Sequence, residues 1–132
     1  MKNLILFGAI VSLSACATMG GLRSEALTAG VAKEFKGTHE EVLQAARESV
    51  VSSGLAIEEA FLDPSGAWII MAKKGTSKHS LGELVRIVVE PEREEGSVVV
   101  RVVTKRRGTL EFYAKGDYSD SIFAAIILSL SK

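Results

Sequence analysis

The sequence predicts an α+β domain: one mainly antiparallel sheet of four to five strands with two helices packed on one face, in the order β-α-β-β-β-β-α. Three observations lead there. Apolar residues recur at helical spacing near both ends of the body, over residues 38–54 and 117–130. Between them lie runs rich in Val and Ile, separated by short polar turns that leave no room for crossover helices, so successive strands pair antiparallel. Finally, 132 residues that are 47% hydrophobic suffice for one core, and two packed layers are the simplest way to build it.

The elements follow in order. Residues 31–36 form a weak strand candidate with Val31, Lys33 and Phe35 on one face. Thr38-His39-Glu40-Glu41 has the pattern of a capping box, in which the Thr hydroxyl accepts from the Glu41 amide and the Glu41 carboxylate returns the bond. The helix it opens carries Val42, Leu43, Ala46 and Val50 in one stripe and stops at Gly54. Residues 55–62 and 67–74 read as a hairpin around Asp63-Pro64-Ser65-Gly66, whose Asp, Pro and Gly suit a type I turn. A polar loop over 75–82 leads to a second hairpin, strands 83–90 and 97–107 around the turn 91–96. Residues 109–114 offer a short edge strand. Asp117 suits an N-cap, with Asp120 in the first turn where the helix dipole favours negative charge. In the last helix Ile122, Phe123, Ile126, Ile127 and Leu130 form the expected core stripe, leaving Ala124 and Leu128 toward a second contact.

Charge and composition exclude several classes. Sixteen Lys and Arg balance sixteen Asp and Glu, which argues against a nucleic-acid binder, and the apolar content argues against disorder. The chain has 1 Cys, so no internal disulfide forms. That residue, Cys16, is the most informative in the chain. It follows a short positive start and an apolar run over residues 4–15, the layout of an export signal. The run is well short of the ~20 residues that a membrane-spanning helix requires.

Leu13-Ser14-Ala15-Cys16 resembles the lipobox of bacterial lipoproteins, with Leu three positions before Cys and small residues between. The resemblance implies that residues 1–15 are a signal peptide, that Cys16 is acylated, and that the chain is membrane-bound through that lipid. In such Gram-negative lipoproteins an Asp after the Cys commonly retains the protein in the inner membrane. Ala17 stands there, so the resemblance implies the outer membrane, with the body facing the periplasm. Residues 16–29 read as the acylated Cys and a flexible tether, with a short helical turn over 22–27 as the alternative; residues 30–132 are the domain. The element order after a lipobox is similar to a loosely defined family of small uncharacterised proteobacterial lipoproteins, without a diagnostic motif.

Little in the chain suggests chemistry. Zinc requires three or four ligands, and only His39 and His79 remain once Cys16 is acylated, so no metal or cofactor is expected. No G-x-S-x-G elbow is present, and the loop over 75–82 lacks the Gly-Lys-Ser/Thr ending of a phosphate loop. Glu58 and Glu59 point to opposite strand faces, while Glu92, Glu94 and Glu95 lie in an open turn. The expectation is a protein that is not an enzyme.

Two surfaces are candidates for binding. If Ile69, Met71, Val85, Ile87, Val89, Val98, Val100 and Val102 face the helices, then Trp68, Ile70, Arg86, Val88, Val99, Arg101 and Val103 lie opposite. Trp and Arg among β-branched residues have the composition of an interface core. Trp68, Ile70, Arg86, Val88 and Arg101 are therefore the candidate residues for an envelope protein partner. A reversed assignment of faces, or cover by the tether or by a sister subunit in a homodimer, remains open. The second surface gathers Lys73, Lys74, Lys78, Lys105, Arg106 and Arg107 at strand ends, where they could meet lipid phosphates, lipopolysaccharide or another polyanion.

Overall fold

A computed structural model describes residues 19–74, 82–94, 96–106 and 118–132. The expected signal segment with its lipobox-like residues, the loop residues 75–81 with Lys78 and His79, Glu95, Arg107 and the expected edge strand over 109–114 lie outside the described residues, as does Asp117, whose expected place as N-cap of the last helix is taken by Tyr118. The elements are α1 (Met19–Arg23), β1 (Val31–Lys36), α2 (His39–Ser52), β2 (Ala56–Leu62), β3 (Trp68–Lys74), β4 (Glu83–Val89), β5 (Ser97–Arg106) and α3 (Ser119–Leu130). The strands form one antiparallel sheet in the order β1-β5-β4-β3-β2, so that the first strand closes against the last and leaves β1 and β2 as edges. The α+β class and the order β-α-β-β-β-β-α of the main elements are as the sequence predicts, with α1 added in front.

Local chemistry explains the element ends. The Glu41 amide donates to the Thr38 hydroxyl at 3.1 Å and the Thr38 amide to the Glu41 carboxylate at 2.9 Å, completing the capping box. Past the end of α2, Gly54 takes φ +80°, where a side chain would be strained. The Gly66 amide closes the β2–β3 turn on the Asp63 carbonyl at 2.9 Å.

Both helices cover one face. Val42, Ala46 and Val50 of α2 and Ile122, Phe123 and Ile126 of α3 pack on Phe35, Ile70, Val85, Ile87, Val100 and Val102. Three details of the packing differ from expectation. In β3 the parity is reversed: Ile70 pairs with Ile87 and Trp68 with Val89 on the helix side, while Ile69 and Met71 face away. Residues 69–72 are buried on both faces, so no polar alternation marks which way each side chain points. Second, Ile127 is 49% exposed rather than in the core, because it lies about 100° around α3 from the inward Ile126.

The third difference is the largest. The described part of the expected tether, residues 19–29, lies along the far face of the sheet. Leu22 is 2% exposed and joins Ile69, Met71, Leu84, Val88 and Val103 in a second core, with Leu27 and Ala29 packed against it. A short helix does form here, α1, but over Met19–Arg23 it shares only Leu22 and Arg23 with the helical turn expected over 22–27, and Leu22 is buried rather than on the surface. The sheet is thus a middle layer with apolar side chains buried on both sides.

Candidate functional site

The described residues that could carry function converge on this strap and its fastenings. Arg86, in the middle of the central strand β4, is 0% exposed. Its guanidinium donates to the carbonyls of Leu22 at 3.2 Å, Glu25 at 2.7 Å and Ala26 at 2.7 Å. The Leu22 and Ala26 carbonyls also accept turn bonds, from the Glu25 amide at 3.2 Å and the Ala29 amide at 3.0 Å, and a planar fork of N–H donors fits all three carbonyls at once. Burial lowers the Arg86 pKa from its ordinary value and the Glu25 charge opposes that shift, but an arginine so placed stays protonated.

Three further cations fasten the strap. Arg101 pairs with Glu90 and donates to the Thr28 carbonyl at 3.4 Å. Arg23 of the strap pairs with Glu59 of β2, and Lys105 reaches Glu25 at 3.7 Å. Where the chain turns from the strap into β1, Gly30 sits at φ +97°. A Cβ there would lie 2.4 Å from the Val102 carbonyl oxygen, so only glycine lets the two segments pass this closely.

The candidate partner residues therefore divide. Trp68 and Ile70 lie on the helix side, where the Arg47 guanidinium stands 5.5 Å from the centre of the Trp68 ring. Arg86, Val88 and Arg101 do lie on the far face, but under the strap rather than open to a partner. The interface-like composition is real, and the chain itself supplies what covers it. Leu22, Leu27 and Ala29 were not singled out from the sequence. The available signal was a cation in the centre of an apolar strand, which needs acceptors from somewhere.

The basic strand ends do come together. Register aligns Lys73 with Leu84 and Lys105, and Lys74 with Glu83 and Arg106. Acids interleave them, however: Lys73 lies 3.5 Å from Glu58 and Lys105 pairs with Glu25. Glu83, 4% exposed, accepts from the Tyr118 hydroxyl at 3.4 Å, and burial together with this carboxylate raises the Tyr118 pKa.

Elsewhere, the His39 ring lies 3.3 Å from the Val89 carbonyl, and its backbone amide donates to Glu92 at 3.1 Å. Hydrogen bonds from the His39 and Gly96 amides hold the Glu92 pKa below its ordinary value. A trough of about 710 Å³ between α2 and the C-terminal end of α3 is lined by both acids and bases, including Glu40, Glu41, Arg47 and Lys132. No group of three or more metal-ligating side chains occurs among the described residues. Nor is any described helix long and apolar enough to cross a membrane.

The fold and strap define a class, a small α+β domain with helices on one sheet face and its own N-terminal segment on the other. No family model and no curated protein matches the chain. Among solved structures, it is similar to an uncharacterised protein from Bacillus thuringiensis, at 14% identity over 76% of this chain and 93% of that one. The TM-score is 0.38, too low to carry any functional argument.

Proposed function

We propose that the chain is a non-enzymatic outer-membrane lipoprotein, anchored through acyl groups on Cys16, whose periplasmic domain binds another envelope component, a protein. The lipobox residues Leu13-Ser14-Ala15-Cys16 motivate the anchor. The observation that carries the reading is where the packed chain begins. Leu22 is already buried on the far sheet face, only a few residues after Cys16. Fully extended, that interval spans at most roughly 20 Å. An acylated Cys16 would therefore hold the strapped face toward the bilayer and turn the helices and the β1 edge toward partners. Several acyl chains, at about 0.8 kcal/mol per buried CH₂, would make the attachment effectively permanent.

The test is metabolic labelling with a clickable fatty acid, followed by membrane fractionation, for the full chain and for Cys16→Ser. The expected result is a labelled, processed protein in the outer-membrane fraction, and an unlabelled, unprocessed variant. A variant that is processed and sediments with membranes as the parent does would overturn the anchor.

A further inference from the structure

We infer that the β1 edge is an interface between two copies of this chain, paired antiparallel about Phe35. This goes beyond the reading of the chain as a binder of another envelope protein and does not depend on the lipid anchor.

The two sheet edges differ. β2 is blunted: its register shifts between Ile57 and Glu59, and its acids are engaged by Lys73 and Arg23. β1 pairs with β5 without interruption from Val31 to Lys36, and no strand among the described residues pairs with its other side. The Gly37 amide donates to the Gly96 carbonyl at 2.9 Å, toward β5. Alternation along the strand then turns the amide and carbonyl groups of Ala32, Glu34 and Lys36 outward, and a partner strand paired about Phe35 takes those of Glu34 and Lys36.

Charge selects the partner and the register. Antiparallel neighbours directly opposite each other lie on the same face, so a two-fold axis at Phe35 sets Glu34 opposite Lys36 of the other copy, and Lys36 opposite its Glu34. Each such pair exchanges backbone hydrogen bonds and matches opposite charges. An axis at Glu34 would instead oppose like carboxylates, and one at Lys33 like ammonium groups. Lys36 has no ion pair of its own among the described residues, while Glu34 accepts from the Ser97 hydroxyl. Charged edges guard against indiscriminate pairing, yet this pattern is complementary to itself.

The helix layer continues the surface. A groove of about 370 Å³ runs between β1 and α3, lined by Lys33, Phe35, Ile127 and Leu130 among others. The two-fold axis would bring the groove and the exposed Ile127 of each copy toward one another, giving that side chain an apolar neighbour. Because the axis is perpendicular to the sheet, both straps leave on the same side, as two anchors in one membrane would require.

The test is the mass of the full chain in detergent by sedimentation equilibrium, for the parent, Glu34→Lys, Lys36→Glu and the double reversal. All three variants change exposed side chains. The expected result is a dimer for the parent, at least tenfold weaker association for each single reversal, and recovery in the double variant. A monomeric parent, a dimer indifferent to the single reversals, or a double variant that stays monomeric would each overturn the proposal. Failure here leaves the Cys16 labelling result untouched, and the reverse also holds.

Discussion

Replacing Arg86 with Met should open the strap without unfolding the domain. In the parent, one guanidinium serves the carbonyls of Leu22, Glu25 and Ala26, each within 3.2 Å or less. Hydrogen bonds to a charged group contribute about 1.5–3 kcal/mol each, and a buried carbonyl left unpaired costs about 1–3 kcal/mol. The variant also escapes the several kcal/mol needed to desolvate the cation, and Met fills similar volume, so the sheet itself need not weaken. The Leu22 and Ala26 carbonyls keep their turn bonds from the Glu25 and Ala29 amides, so the penalty falls on the Glu25 carbonyl, which sheds it by lifting into water, opposed chiefly by the burial of Leu22, which is worth about 1.5–3 kcal/mol. If closure loses about 2 kcal/mol, the open population rises about thirtyfold. Trypsin reads this directly, because Arg23 lies in the strap while Arg47 lies in α2. When opening is fast, cleavage tracks the open population. Cleavage after Arg23 should therefore accelerate by about that factor, with cleavage after Arg47 unchanged. An unaltered rate at Arg23 would refute the fastening argument; equal acceleration at both sites would show that Arg86 holds the whole domain instead.

Two further outcomes are expected. Thr38→Ala removes the cap of α2 and should cost about 1 kcal/mol, seen as a fall of roughly 4–8 °C in the thermal midpoint; a smaller effect than from Glu41→Ala would count against the reciprocal box. Glu92 has a folded pKa below its ordinary 4.5 because the His39 and Gly96 amides bond its charged form. Its contribution to stability is therefore present above pH 4.5 and lost as pH falls through the depressed value. Glu92→Gln should flatten the stability profile in that acid range, and an identical profile would refute the linkage.

Sequence alone determined the elements that rest on local chemistry. The capping box at Thr38 and Glu41, the turn at Asp63 to Gly66, the stop at Gly54 and the Val-rich hairpin are each specified within a few residues, and each stands in the structure. Element order then left one sheet and one helix layer as the simplest arrangement. The resemblance of Leu13-Ser14-Ala15-Cys16 to a lipobox is likewise legible without a fold, since it rests on four adjacent residues. What only the tertiary structure decided is where buried side chains face and what covers them. Residues 68–72 have no polar alternation, so the parity of β3 depends on register with β4, a contact made across an intervening loop. Residues 19–29 look like linker because their apolar residues are few and lack a period, yet Leu22, Leu27 and Ala29 meet a surface assembled from β3, β4 and β5. Arg86 reads as an exposed interface cation until the strap supplies its acceptors, more than sixty residues away in sequence. Local patterns specify local structure; the burial of a charge depends on partners that only chain folding brings within reach.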